Sequence, residues 1–395
     1  MADRIRVRVY NVRFGDAILV TVPDRDGGAT TPRNILIDVG NVLGTEGGVD
    51  TVFKPAVDDL LKELKGKPLD LYVMTHEHLD HVQGLQYCSA NYPELSDLAN
   101  KLKPAHVWMT ASADPDYAQI DPDAKKKTLA LYQNHQALQD HLKALEAQGP
   151  TAALAAAYQA ILKNNNLAGT KDCIDYLRNL APKERVHYVH RETSLDGKHP
   201  FQEAQLEIWA PEKKSSDYYD GYMPLGLSAQ PVTLRGPDAP PPPAPPPGVD
   251  AGTFRDLLAA REAGIWDQLL AIDKAANNTS IVFSLTWRKR VLLFPGDAEI
   301  GSWRMMNEKQ KLRKVDFLKV AHHGSHNGTP DADLLDKIMA GPSKSRKAAI
   351  STWEKTYNGI PDTPTNEKLK ARATLTSTLD DPDKPYWDFF FTGKP

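Results

Sequence analysis

The chain opens on an alternation. Over residues 4–12 charged and apolar side chains take turns, the two-residue period of a half-buried strand. Residues 17–22 and 34–39 are further strand-like runs, separated by a stretch rich in Gly, Asp, Pro and Thr that reads as a turn region. Over 52–64 the apolar residues fall three and four apart, which predicts an amphipathic helix. Residues 69–74, LDLYVM, form a short apolar strand. Strands, then a helix, then a strand predict an α/β layered fold. Residues 115–167 are rich in Ala, Leu, Lys and Gln at helical spacing and predict an insertion of two or more helices. Strand character returns at 185–189 and 205–209, and 254–272 predicts another amphipathic helix. Residues 280–285 and 291–294 flank a short basic turn, the pattern of a hairpin. Two more strands are predicted at 315–320 and 348–352. The strand-rich parts, 1–110 and 180–395, read as halves of one sandwich interrupted by the insertion.

One segment fits neither period. Residues 236–248 read GPDAPPPPAPPPG. Proline fixes φ and lacks an amide donor, so this is an extended spacer or surface loop. A plain spacer is the first reading, and a docking site for a protein partner, here or on the helical insertion, is the alternative.

Composition narrows the class. With 41% hydrophobic and 25% charged residues, the chain has the make-up of a globular protein with a sizeable core. The formal net charge of −3 gives no global basic footprint for nucleic acid. Between Trp287 and Lys347, however, 13 Lys and Arg stand against 7 Asp and Glu, a local excess that would suit a phosphate-bearing substrate, although a solvated basic surface is the commoner cause of such a run. The two cysteines, Cys88 and Cys173, have no metal-ligand spacing and fit a reducing compartment. The start, MADRIRVRVY, lacks the apolar region of a signal peptide, and no stretch approaches 18 apolar residues. A cytoplasmic protein with no membrane partner is expected.

The strongest chemical signal is THEHLDH at residues 75–81, directly after the strand LDLYVM. His76, His78, Asp80 and His81 put four potential ligands in six residues. Imidazole with carboxylate suits zinc, iron or manganese, and a turn at a strand end can aim such groups inward. His76 and His78 alternate and could share one metal, while Asp80 and His81 could reach a second. A zincin helix would need histidine where Asp80 stands, and a zinc finger needs paired cysteines.

HxHxDH after an apolar strand resembles the signature of the metallo-β-lactamase superfamily. Asp38, in ILIDVG, resembles its early aspartate, which supports the histidine loop from behind. Asp297, in VLLFPGDAE, resembles the aspartate that bridges two metals, and His322 and His323, in LKVAHHGSHNGT, resemble the late histidine motif. Together with NVRFGDAILV and NNTSIVFSL, these segments look like the hydrolase domain of ComEC-type proteins and their stand-alone relatives. The closing ISTWEKTYNGIPDTPTNEKL resembles that group's terminal segment.

The resemblance implies a four-layered αββα sandwich as a single domain over 1–395, with a helical insertion at 110–180 and the proline-rich loop within it. It implies two divalent ions, zinc first and manganese as the alternative. His76, His78, Asp80, His81, Asp297 and His323 are the implied ligands. His322 would orient substrate, His326 would donate a proton, and Asp38, Asn277, Asn278 and Ser325 would support the ligands. The implied activity is hydrolysis by a metal-activated hydroxide, with Asp80, His322 and His326 as catalytic candidates and a phosphodiester such as nucleic acid or a nucleotide as substrate. A lactone or thioester hydrolase, or a non-catalytic binding protein on the same fold, are the alternatives. Two departures stand out. Asn277 and Asn278 replace a histidine that often completes the first metal site, leaving His187 or His190 as substitutes. Ile360-Pro361 replaces a His-Pro pair in the terminal segment.

Overall fold

The computed structural model describes residues 3–26, 28–41, 49–122, 167–214, 276–353 and 359–394. The proline-rich segment, the expected helix at 254–272 and residues 123–166 of the expected insertion lie outside them.

Two sheets face each other. The first carries β1 (Arg4–Tyr10), β2 (Ala17–Asp26), β3 (Ala29–Val39), β4 (Leu71–Met74), β5 (His106–Thr110), β6 (Val186–Val189) and the last strand, β13 (Tyr386–Thr392), in the order β13-β1-β2-β3-β4-β5-β6. The second carries β7 (Gln205–Ala210), β8 (Val282–Trp287), β9 (Arg290–Phe294), β10 (Phe317–Lys319), β11 (Lys347–Ile350) and β12 (Thr374–Ser377), in the order β12-β11-β10-β9-β8-β7. Helices α1 (Val49–Leu64), α2 (Leu79–Asn91), α3 (Leu98–Leu102), α4 (Tyr117–Ile120) and α5 (Leu167–Arg178) accompany the first half of the chain. Helices α6 (Ile300–Glu308), α7 (Ala332–Met339) and α8 (Thr363–Lys370) accompany the second.

Strand alternation explains the layering. In β1 to β4, Ile5, Val7, Ile18, Val20, Ile35, Ile37, Leu71 and Val73 point between the sheets, where they meet Phe283, Leu285, Leu292, Phe294 and Phe317. The residues between them, such as Leu19, Leu36, Tyr72 and Met74, point the other way onto Phe53, Val57 and Leu60 of α1 and Val82 and Leu85 of α2. Val282, Leu293, Leu318 and Ala348 likewise face Trp303, Met306, Leu335 and Ile338. Both sheets are thus apolar on both faces, and helix-sheet-sheet-helix is the arrangement that covers all of them. This is the αββα sandwich that the sequence led us to expect.

Three local outcomes differ from the sequence pattern. β1 is covered on its charged face too: Arg8 is buried against Asp59, Glu63 and Asp388, and Arg6 reaches Glu63. The region expected as a turn between 22 and 34 is instead the far end of a long β2–β3 hairpin, pairing Pro23 with Pro32 and Arg25 with Thr30. Asp24 holds it in place, since its carboxylate accepts backbone N–H groups of Gln202 and Glu203 and pairs with Arg33. Residues 79–91 form α2, which no strong apolar period announced.

Candidate metal centre

Parallel pairing decides which residues meet. β3, β4 and β5 run parallel, as do β9, β10, β11 and β12. Their carboxyl ends therefore gather at common edges, where open α/β sheets usually place their sites. Asp38 lies at the end of β3, Thr75 to His81 follow β4, Asp297 follows β9, His322 and His323 follow β10, and Ser351 follows β11. The loop 13–16 closes on the same place: Asp16 N–H donates to the Asp80 carbonyl at 3.0 Å. A β-carbon on Gly15 would stand 2.1 Å from the Gly40 carbonyl oxygen, so only glycine fits there.

Three groups of ligand-type atoms result, the third being Asp16, Asp38 and His81, which lies behind the first and shares His81 with it. In the first, one atom each from Asp80, His81, Asp297 and His323 lie within 4.8 Å of one another, all buried. His323 Nε2 is 3.1 Å from Asp80 Oδ2 and 3.3 Å from Asp297 Oδ2, and His81 Nε2 is 3.3 Å from Asp297 Oδ2. Tetrahedral ligands of zinc stand about 3.3–3.6 Å apart, so these separations fit one ion. The second group joins His76 and His78 to the same Asp80, with His76 Nε2 3.1 Å from His78 Nδ1. Glu77, between them, joins none of the three; burial pushes its carboxyl up to about 7 against the pull of Arg178.

The supporting contacts are specific. Asp38 Oδ1 accepts the Thr75 N–H at 2.8 Å, and Asp38 Oδ2 accepts the Thr75 hydroxyl at 2.6 Å and lies 2.8 Å from His81 Nδ1. This fixes the His81 ring with Nε2 toward Asp297. His323 Nδ1 is 2.9 Å from the Ser351 carbonyl, which leaves its Nε2 for the group. Carboxylate and carbonyl partners of this kind set the tautomer of metal-binding histidines.

Charge balance tests the fit. Burial alone would lower His81, but Asp297, Asp80 and Asp38 raise it well above the usual histidine range. His323, lowered by burial, is raised to about 10 mainly by Asp297 and Asp80. Asp297 is pushed up by burial yet held well below the ordinary carboxylate range by His323 and His81. His76 is pushed well below its ordinary value by burial and by its histidine neighbours. Buried carboxylates this close together require compensating positive charge, and His81 Nε2 makes no hydrogen bond despite its burial. Nitrogen and oxygen donors around an excess of carboxylates suit a divalent cation.

Other expected residues separate. His322 is half-buried beside the group, with Nδ1 3.4 Å from Glu299 Oε1. Asn277 donates to the same Glu299 oxygen at 2.9 Å. Asn278 turns away: its side-chain oxygen accepts the Ser302 N–H at 3.0 Å, in the first turn of α6. Ser325 bonds Asn327 within its own turn. His326 is not brought to the groups; its side chain is 85% exposed, with Asp362 4.0 Å away. His187 is paired with His106, and His190 accepts from the Glu192 backbone, so neither joins His76 and His78. The terminal segment does meet the late histidine turn, through Asp362 N–H donating to the Gly324 carbonyl at 2.8 Å.

The local basic excess does not become a basic field at this centre. Arg288 pairs with Glu203 and Asp3, Lys311 and Arg313 with Glu207, and Arg290 with Asp316. Lys319 is fully buried against Asp16, 2.7 Å from Oδ1, and Ser351 donates its hydroxyl to the same carboxylate. Lys319, Glu299 and Ser351 were not singled out from the sequence. Only Lys319 gave a signal, a charge that with Asp316 interrupts the otherwise apolar strand predicted at 315–320.

No family model and no curated protein matches this chain. Among solved structures, the metallo-beta-lactamase fold protein YhfI from Bacillus subtilis aligns over 98% of this chain and 100% of its own, with 8% identity and a TM-score of 0.38. A diphosphatase from the PhnP family aligns over 95% of this chain and 84% of its own, with 12% identity and a TM-score of 0.33. The architecture and the centre described above rest on the chain's own sheets and distances, not on these likenesses. Among the described residues, no helix is long and apolar enough to cross a membrane.

Proposed function

We propose that this chain is a metal-dependent hydrolase acting on a phosphodiester, a nucleic acid, nucleotide or related phosphoester. The observation that carries the reading is the approach of Asp80, His81, Asp297 and His323 to within 4.8 Å in a buried setting. These four would hold one divalent ion, and His76 and His78 with the shared Asp80 would hold another, zinc first and manganese as the alternative. A bound divalent ion supplies Lewis acidity and brings the ionisation of water toward neutral pH. The chain's own residues do the rest. Asp38, Thr75 and the Ser351 carbonyl orient the ligand rings. His322, half-buried and flanked by Glu299 and Asn277, would contact substrate and pass a proton to a leaving group. The exposed His326 is less suited to that task. The phosphodiester rests on the resemblance of the motifs to ComEC-type hydrolase domains.

Metal analysis of the purified protein, paired with hydrolysis of bis-p-nitrophenyl phosphate under zinc, manganese and magnesium, tests this. About one to two ions per chain and turnover lost in Asp80→Ala are expected. Bound metal without turnover would redirect the search to lactones and thioesters. Absence of both metal and turnover would overturn the reading.

A further inference from the structure

The loop before β2 carries a strained arginine. Arg13 has φ of 64°, a left-handed conformation that costs energy for any residue but glycine, and its N–H is held by Asn11 Oδ1 at 3.2 Å. Loops keep such strain where the surroundings over-determine them, and here they do. Phe14 lies against the His323 ring, with centroids 4.3 Å apart. Asp16 is bonded to the Asp80 backbone and to Lys319. Arg13 is thus one residue from a side chain that touches a candidate ligand.

A second strand end brings its partner. The Ser351 carbonyl accepts from His323 Nδ1, and two residues later Trp353 presents its ring to Arg13, with the guanidinium carbon 4.9 Å from the ring centroid. Both residues are half-buried. Among the described residues no carboxylate pairs with Arg13, whereas Arg6, Arg8, Arg33, Arg191, Arg288, Arg290 and Arg313 all have one. A guanidinium within cation–π distance of an indole and without a carboxylate partner has N–H groups to offer, and these match the oxygens of a phosphoryl group.

We infer that Arg13 and Trp353 form the anion-binding wall of the substrate site, with Arg13 taking a non-bridging phosphoryl oxygen of a singly charged diester. This rests on the hydrolase reading for the position of the reacting centre. It also supplies the positive charge that the segment 287–347 does not deliver there.

The test uses the metal-loaded protein, with bis-p-nitrophenyl phosphate as the anionic probe and its neutral methyl triester as the control. Binding by calorimetry and release of p-nitrophenolate are both read, and metal content is checked in each variant. Wild type should bind the diester better than the triester. Arg13→Gln should weaken the diester about tenfold more than the triester, with metal content kept. Trp353→Leu, the second variant should Arg13→Gln not fold, should reduce the same discrimination about threefold. Discrimination that survives both variants, or a wild type without preference for the anion, would overturn the inference even if turnover persists. Arg13-dependent binding without any release would instead sink the phosphodiesterase reading and leave this wall standing.

Discussion

β4 and β5 lie side by side, and buried histidines occur at opposite ends of the pair. At the carboxyl end of β4, His76, His78 and His81 meet His323 from the other sheet among Asp38, Asp80 and Asp297. At the amino end of β5, His106 meets His187 of β6, Nδ1 to Nε2 at 3.1 Å with stacked rings. His76 is pushed down by burial as His106 is, but the histidines that face carboxylates respond in the opposite way. In the first group, carboxylates outweigh desolvation and raise His81 and His323. In the second, desolvation acts with His187 and Arg185 to push His106 down to about 4. A neutral pair of rings satisfies itself, one donating and one accepting. Histidine density therefore does not define a cation site; uncompensated buried carboxylate does.

The largest effect should come from removing that carboxylate. Asp297→Ala would leave His81 and His323 in surroundings closer to those of His106. Metal content should drop below that of the wild type, and phosphodiester turnover should fall by more than about a hundredfold, the upper end of what supporting residues cause. Retained metal and turnover would show that the carboxylates do not define the centre. A milder break is Asp38→Asn, which keeps the shape but removes the charge facing His81 Nδ1. Metal affinity, measured against a competing chelator, should weaken by about 10–100-fold. An unchanged affinity would make Asp38 a fold residue only.

The contrast also explains what the sequence made legible. THEHLDH concentrates four ligand candidates on one strand end, and parallel pairing of β3 with β4 brings Asp38 beside it, so this half of the centre could be read from local pattern. The other half comes from three strand ends of the second sheet, and only the order of motifs pointed to Asp297 and His323. Spacing could not separate Asn277 from Asn278, because the turn that aims one at Glu299 and the other at α6 is a tertiary outcome. The same holds for Lys319 and Asp16, which are 303 residues apart and meet only when the sandwich closes. The partners of Arg288 and Lys311 in the basic stretch 287–347 could not be read locally for a related reason: Asp3, Glu203 and Glu207 lie elsewhere in the chain.

The smallest effect concerns the second group and appears only with pH. The unfolded chain should bind a proton on His106 near the ordinary value of about 6.5. The folded chain resists it down to about 4. Between these values the unfolded state holds more protons, so the contribution of this group to stability is fully present above about 6.5 and is lost as pH falls toward 4. Below 4 both states are protonated and the loss levels off. His106→Gln removes the titration while keeping a polar side chain that can face His187. Urea midpoints at pH 7 and pH 4.5, taken on chelator-treated protein, should differ less in the variant than in the wild type. His76, also pushed down by burial, titrates in both proteins and cancels from the difference. An identical drop in the two would mean that His106 is already protonated in the fold, and the contrast between a charged and a neutral histidine group would fail.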